Sequence, residues 1–215
     1  MKIIDAYLEY IGIAFILINA CLYLSSYIIN KKNVTLFFIS SYLSISACVV
    51  IASSILAYLK LNNLHYSHIY FISQFMFLSL FYKTLFTSNQ KKGVNFLIFL
   101  VLLTLIIQYI KKPYLINQFN LFEIFITSVP LIIYSITHLY NSLNKKGEYM
   151  FLNSGVLLYL TTSTLIFILG DYLSGHENNT AITKIWMINK VLYIVYLILI
   201  LVEWKKLNSP HKSRL

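Results

Sequence analysis

The chain has 215 residues, 59% of them hydrophobic and only 11% charged, where an ordinary soluble domain carries roughly 25% charged residues. Six Gly and three Pro exclude a disordered or collagen-like chain, and seven bilayer-spanning helices of about 20 residues would take about 140, leaving no stretch for a kinase, nuclease or Rossmann domain. The formal charge of +10 suits either nucleic acid or a membrane surface; the lysines fall in pairs beside apolar runs, which favours anionic headgroups over nucleic acid.

Seven apolar runs follow one another at about 5–29, 34–59, 64–87, 94–110, 119–141, 150–173 and 182–204. Their length and scarcity of charge predict helices, and the ten-residue alternating segments of a membrane barrel are missing. The expectation is an all-α polytopic protein: one seven-helix transmembrane bundle over 1–206 and a short basic cytoplasmic tail over 207–215.

The first run is too long for a signal peptide and lacks a small-residue cleavage site before Ser25, so it reads as retained. It carries Asp5 and, a turn deeper, Glu9. Cys21, and Cys48 in the second run, lie inside apolar sequence, which predicts neither a disulfide nor a Cys metal site. The second run has Ser40, Ser44, Cys48 and Ala52 at four-residue spacing, a stripe that predicts close packing in the middle of the bundle. The third opens with His65 and His68, three apart and so on one helix face, then Tyr70 and Gln74; it has no Asp or Glu. The polar stretch Asn89–Gly93 reads as the loop before the fourth run, and Lys111–Pro113 as its end. Glu123 opens the fifth, where Pro130 predicts a kink. In the sixth, Asn153, Ser154 and Gly155 precede Thr161, Thr162, Ser163 and Thr164, four hydroxyls that circle the helix and can bond the carbonyl a turn back. The seventh buries a charge, Lys190, about two turns in.

Orientation follows from basic residues. With the N-terminus outside, Lys31, Lys32, Lys83, Lys91, Lys92, Lys145, Lys146, Lys205, Lys206, Lys212 and Arg214 lie inside; Lys2, Lys60, Lys111, Lys112 and Lys184 lie outside. The carboxylates sort the other way: Asp5, Glu9, Glu123, Asp171 and Glu177 outside, Glu148 and Glu203 inside. This predicts N-out, C-in in a bacterial inner membrane.

Charged groups in apolar spans are costly and mark sites. Glu9, His65, His68, Gln74, Glu123, Asp171 and Lys190 form one candidate set, a polar pocket open to the periplasm. The alternative is that they rim the bundle at headgroup level, with Lys190 snorkelling to the interface. His65, His68 and His176 are the weak candidates for metal ligation; no cofactor is expected. Retinal binding would want an acid on the third helix, and a seven-helix zinc hydrolase a His-x-x-x-His pair in the last; the chain has neither.

The chain also resembles a set of uncharacterised seven-helix integral membrane proteins of Bacteroidetes, over about 35–206. The likeness rests on Asn62-Asn63, the stretch from His65 through His68 and Tyr70 to Gln74, Phe122-Glu123, Phe151 with Ser154-Gly155 and Tyr159, Ile185-Trp186 with Ile188, and Glu203-Trp204-Lys205. Where such relatives carry His three residues after the Trp, this chain has Asn189. The resemblance implies the seven-helix fold and, from genes beside two-component regulators, a signalling accessory; membrane accessories of flavobacterial CRISPR loci fit the same size and composition.

The expectation for function is a non-enzymatic sensory or signalling accessory. Its expected partners are the lipid bilayer, a membrane or cytoplasmic protein, and a second copy of itself as a homo-oligomer. The alternatives are a membrane accessory or effector of a CRISPR-type phage-defence system, including an oligomeric pore, and, disfavoured, a metal-dependent membrane hydrolase. The orientation is checked by a C-terminal reporter: a fusion active only in the cytoplasm is expected, and periplasmic activity contradicts it.

Overall fold

The computed structural model describes residues 2–143, 147–174 and 179–209. Its seven α-helices are α1 (Lys2–Ile29), α2 (Val34–Tyr58), α3 (Leu64–Leu85), α4 (Ser88–Lys111), α5 (Leu121–Ser142), α6 (Met150–Ser174) and α7 (Asn179–Leu207), with a 3₁₀ turn at Pro113–Asn117. Among the described residues there is no strand. Six helices, all but α3, are long and apolar enough to cross a bilayer, which makes this a multi-pass membrane protein. His65, His68, Gln74 and Lys83 lower the hydropathy of α3.

Local chemistry sets the ends. The Asn33 side chain accepts the Leu36 N–H at 3.0 Å to start α2, and the Asn120 side chain accepts the Glu123 N–H at 3.3 Å to start α5, each satisfying an orphan donor of a first turn. α4 begins at Ser88, not near 94: the Thr87 N–H donates to Gln90 Oε1 at 3.1 Å, so the polar stretch Asn89–Gly93 is helix rather than loop. At the other end Lys112 precedes Pro113 and leaves the helical region (φ −136°, ψ 68°), because the proline ring disfavours helical backbone at the residue before it. α5 runs through the buried Pro130 without interruption.

The helices pack as a ring in the order α1, α2, α3, α5, α6, α7 and back to α1, with α4 outside it against α3 and α5. α3 and α5 therefore have three helical neighbours each, and α3 also touches the 3₁₀ turn. This corrects the expectation for α2, whose neighbours are α1 and α3. The small-residue row on α2 is also not a packing seam: Ser40 is buried but Cys48 is exposed. Each four-residue step overshoots a turn by about 40°, so the row drifts about 120° around the helix over three steps. The buried face is Ile39, Tyr42, Leu43, Ser46 and Ala47. At Gly155 an added Cβ would meet Tyr196 at 3.0 Å and Leu199 at 3.3 Å, so glycine there permits the close approach of α6 and α7. Outside the ring, α4 exposes Phe96, Phe99, Leu103, Ile106 and Ile110, an apolar face suited to acyl chains.

The seam that closes the ring is polar. Asn19 Nδ2 donates to Leu197 O at 3.0 Å, Tyr23 Oη to Ile200 O at 3.0 Å, and Trp204 Nε1 to Ser26 Oγ at 2.8 Å. Lys31, Lys32, Lys91, Lys92 and Lys205 lie toward the end that holds the α1 C-terminus, here the C-face; the opposite end is the N-face. Near the C-face, Tyr82 Oη donates to Asn153 Oδ1 at 2.7 Å, Ser135 Oγ to the same atom at 2.9 Å, and Asn153 Nδ2 to Ser135 O at 3.2 Å. One fully buried amide thus ties α3, α5 and α6.

Interhelical hydrogen bonds in bilayers average about 0.6 kcal/mol each. Tyr82→Phe is accordingly expected to cost about 0.6 kcal/mol, and Asn153→Ala, which removes three side-chain bonds and leaves the Tyr82 hydroxyl unpaired while Ser135 Oγ keeps the carbonyl of residue 153, about 1–2 kcal/mol. Denaturant unfolding of the two variants in mixed micelles checks the order; equal losses would contradict it.

Candidate functional site

Three polar assemblies lie toward the N-face. The first is an ion cluster on the α1–α7 seam. Lys190 Nζ stands 2.9 Å from Asp5 Oδ1 and 3.3 Å from Glu9 Oε2, and also donates to Asp5 O at 3.4 Å. Their side chains are 29%, 36% and 48% exposed, so this cluster is wet and only modestly stabilising. Asp5 and Glu9 meet one ammonium because one helical turn stacks them on the same face of α1.

The second assembly is dry. His68 Nδ1 on α3 lies 3.0 Å from Glu123 Oε2 on α5. The Tyr109 hydroxyl, in the last turns of α4, donates to the same carboxylate oxygen and lies 2.9 Å from His68 Nδ1. Asn120 Nδ2 donates to Tyr109 Oη at 3.3 Å and to Gln108 Oε1 at 3.2 Å. Glu123 is fully buried, and its Oε1, like His68 Nε2, has no partner among the described residues. The triad fastens the N-face end of α4 to the ring, and a reciprocal amide pair of Gln90 with Asn141 (3.0 and 3.2 Å) fastens its C-face end to α5.

The third is a tyrosine layer across the ring. Gln74 Nε2 donates to the phenol oxygens of Tyr42 at 3.2 Å and Tyr70 at 3.4 Å; Tyr196 Oη donates to Tyr42 Oη at 3.1 Å. Tyr159 stacks on Tyr196, ring centroids 5.2 Å apart and 4° from parallel.

Above this layer the ring is hollow. A cavity of about 580 Å³ is lined by Glu9, Lys190, Asn189, Tyr70, Tyr193 and Trp186, with Ser53, Ser54 and Phe71 among its other walls. It exists because the ring's opposite helices make no backbone contact: among the described residues α1 does not meet α5, nor α2 α6, nor α3 α7. Its size falls within the usual range for small-molecule sites, about 300–1,000 Å³, and mostly apolar walls with a few placed polar groups are typical of them.

The candidate set read from the sequence is thus dispersed. Glu9 and Lys190 line the cavity. His68 and Glu123 pair with each other in the dry triad. Gln74 lies in the tyrosine layer. His65 is half-buried with its ring 4.5 Å from that of Tyr66, so the two histidines of one face serve different neighbours. Asp171 belongs to α6, but its side chain, like His176 and Glu177, lies outside the described residues. Among the described residues no three His, Cys, Asp or Glu side chains gather as a metal-binding group.

Tyr109, Asn120 and the tyrosines of the layer were not in that set. The readable signal was on α7, where Trp186, Lys190, Tyr193, Leu197, Ile200 and Trp204 recur at three- and four-residue steps and mark one helix face.

Removing a buried charge partner should cost far more than removing an exposed one. Glu123→Leu is expected to lower unfolding stability by about 2–4 kcal/mol, and Lys190→Met by under about 1 kcal/mol, measured by the same denaturant titration. A Lys190 loss equal to that of Glu123 would contradict the assignment of wet and dry clusters. No family model, curated protein or solved structure matches the chain.

Proposed function

We propose that the protein is a non-enzymatic sensory module: a seven-span bundle of the bacterial inner membrane, N-terminus outside, that binds a small molecule in the N-face cavity and passes a change in ring packing to a protein partner. The observation that carries this reading is the 580 Å³ cavity at the mouth of the ring. It is bounded by α1, α2, α3, α6 and α7, so a ligand there touches both sides of the α1–α7 seam at once. Ligand contact across a seam is what a signal requires, because an equilibrium shifts only as far as the ligand's affinities for the two packings differ.

Two features support the topology. The 22 residues of α3 make about 33 Å of helix, enough for a hydrocarbon core of about 30 Å. Its polar side chains face helices rather than lipid, the arrangement a span needs when its sequence is poor in apolar residues. The lysine bias assigns the C-face to the cytoplasm.

Thiol labelling tests the reading. With Cys21 and Cys48 replaced by Ala, a Ser54→Cys variant is expected to react with a membrane-impermeant maleimide added to intact spheroplasts, and an Asn30→Cys variant only after lysis. Protection of Cys at position 54 from both sides would refute an open cavity; labelling only from the inside would refute the orientation.

A further inference from the structure

The cavity's chemistry is asymmetric, and three independent observations lean the same way. The charged groups among its lining residues are Glu9 and Lys190, and Asp5 joins them at the mouth. Two carboxylates therefore share one ammonium, an excess of one negative charge. Lys190 is nearer to Asp5, at 2.9 Å, than to Glu9, at 3.3 Å, and Glu9 is the more exposed acid. Next to Lys190, Asn189 Oδ1 is a buried acceptor with no donor among the described residues. The walls are aromatic faces: Tyr70, Phe71, Tyr159, Phe167, Trp186 and Tyr193. Trp186 packs 5.6 Å from Phe167, and Phe167 5.8 Å from Phe71, so these rings support one another.

A surplus carboxylate and an unfilled acceptor both ask for a positively charged N–H donor. Aromatic faces attract a cation through the ring quadrupole, more strongly where water is displaced. Resting on the reading of this cavity as the functional site, we infer that its ligand is an organic cation: an amine or ammonium headgroup on an apolar or aromatic body. Glu9 takes the charge while Asp5 keeps Lys190, and the body lies between Tyr70, Tyr193 and Trp186. An anion would instead have to separate Lys190 from two carboxylates in a cavity already negative.

The test uses full-length protein in nanodiscs and three probes with one body: phenethylamine as cation, 2-phenylethanol as neutral form and phenylacetate as anion, with N-methylphenethylamine as a second cation. Isothermal titration and thermal unfolding are expected to show saturable binding of the cations and not of the other two at equal concentration. Glu9→Gln should weaken phenethylamine by at least about fivefold, while Glu148→Gln, which removes an exposed acid at the C-face, leaves its Kd unchanged. If Glu9→Gln does not fold, the cation-to-alcohol ratio in the native chain decides alone. Equal binding of the alcohol, tighter binding of phenylacetate, equal effects of the two acid variants, or no binding of either cation would each overturn the assignment. If the alcohol or phenylacetate binds and Ser54→Trp abolishes it, the cavity stands as a ligand site and only the cation class falls.

Discussion

In a hydrocarbon core a polar side chain must find its partner inside the protein, and α3 carries polar groups along most of its length. Five of them reach a neighbouring element, while Ser67 and Ser73 bond back to carbonyls of α3 itself. Asn63, at its start, donates to Ser53 Oγ of α2 at 3.0 Å; His68 meets Glu123 of α5 and Tyr109 of α4; Gln74 reaches Tyr42 of α2; Tyr82 reaches Asn153 of α6. Near the C-face, Thr84 and Thr35 share a hydrogen bond of 2.9 Å. These rungs fix which helices flank α3 and at what depth, because apolar contacts between helices are nearly as good with lipid as with protein. α3, which falls short of the apolarity of the other six helices, shares with α5 the largest number of helical neighbours.

The second organising feature is the α1–α7 seam. Asn19, Tyr23 and Trp204 bond backbone carbonyls across it, and Trp204–Ser26 and Lys190–Asp5 add side-chain partners, so the register of α1 against α7 is set along its length. Closing a ring of six helices leaves an axial space that no backbone fills. Toward the C-face, Phe75, Leu78, Leu131, Val156 and Leu197 occupy the interior. Toward the N-face the tyrosine layer stops the filling and the cavity begins. The hollow is thus a consequence of ring closure combined with where bulky side chains stop.

The contrast between the two acid clusters follows from depth. Asp5 and Glu9 sit at the open mouth and share a cation that water also solvates. Glu123 lies beneath the 3₁₀ turn and the end of α4, where its charge is offset by His68 and the Tyr109 hydroxyl. The same residue type is therefore a solvated group at the cavity mouth in one place and a structural fastening in the other.

Much of the fold was legible in the sequence: the seven described helices fall close to the seven apolar runs, six of them with the length and apolarity a bilayer imposes on a span, and the caps at Asn33 and Asn120 are local. The start of α4 was misjudged because polarity at Asn89–Gly93 outweighed the Thr87–Gln90 cap. Legible too was that Glu9, His68, Glu123 and Lys190 needed partners, since an ionisable group in an apolar run is costly anywhere. Which partner each took was decided only by tertiary structure. Side chains such as His65 and His68 share a face yet serve different neighbours, and Tyr109 joins His68 across 41 positions solely because α4 packs outside the ring. The ring order that separates the wet cluster, the dry triad and the cavity is set by long-range contacts, and no periodicity within a single helix encodes them.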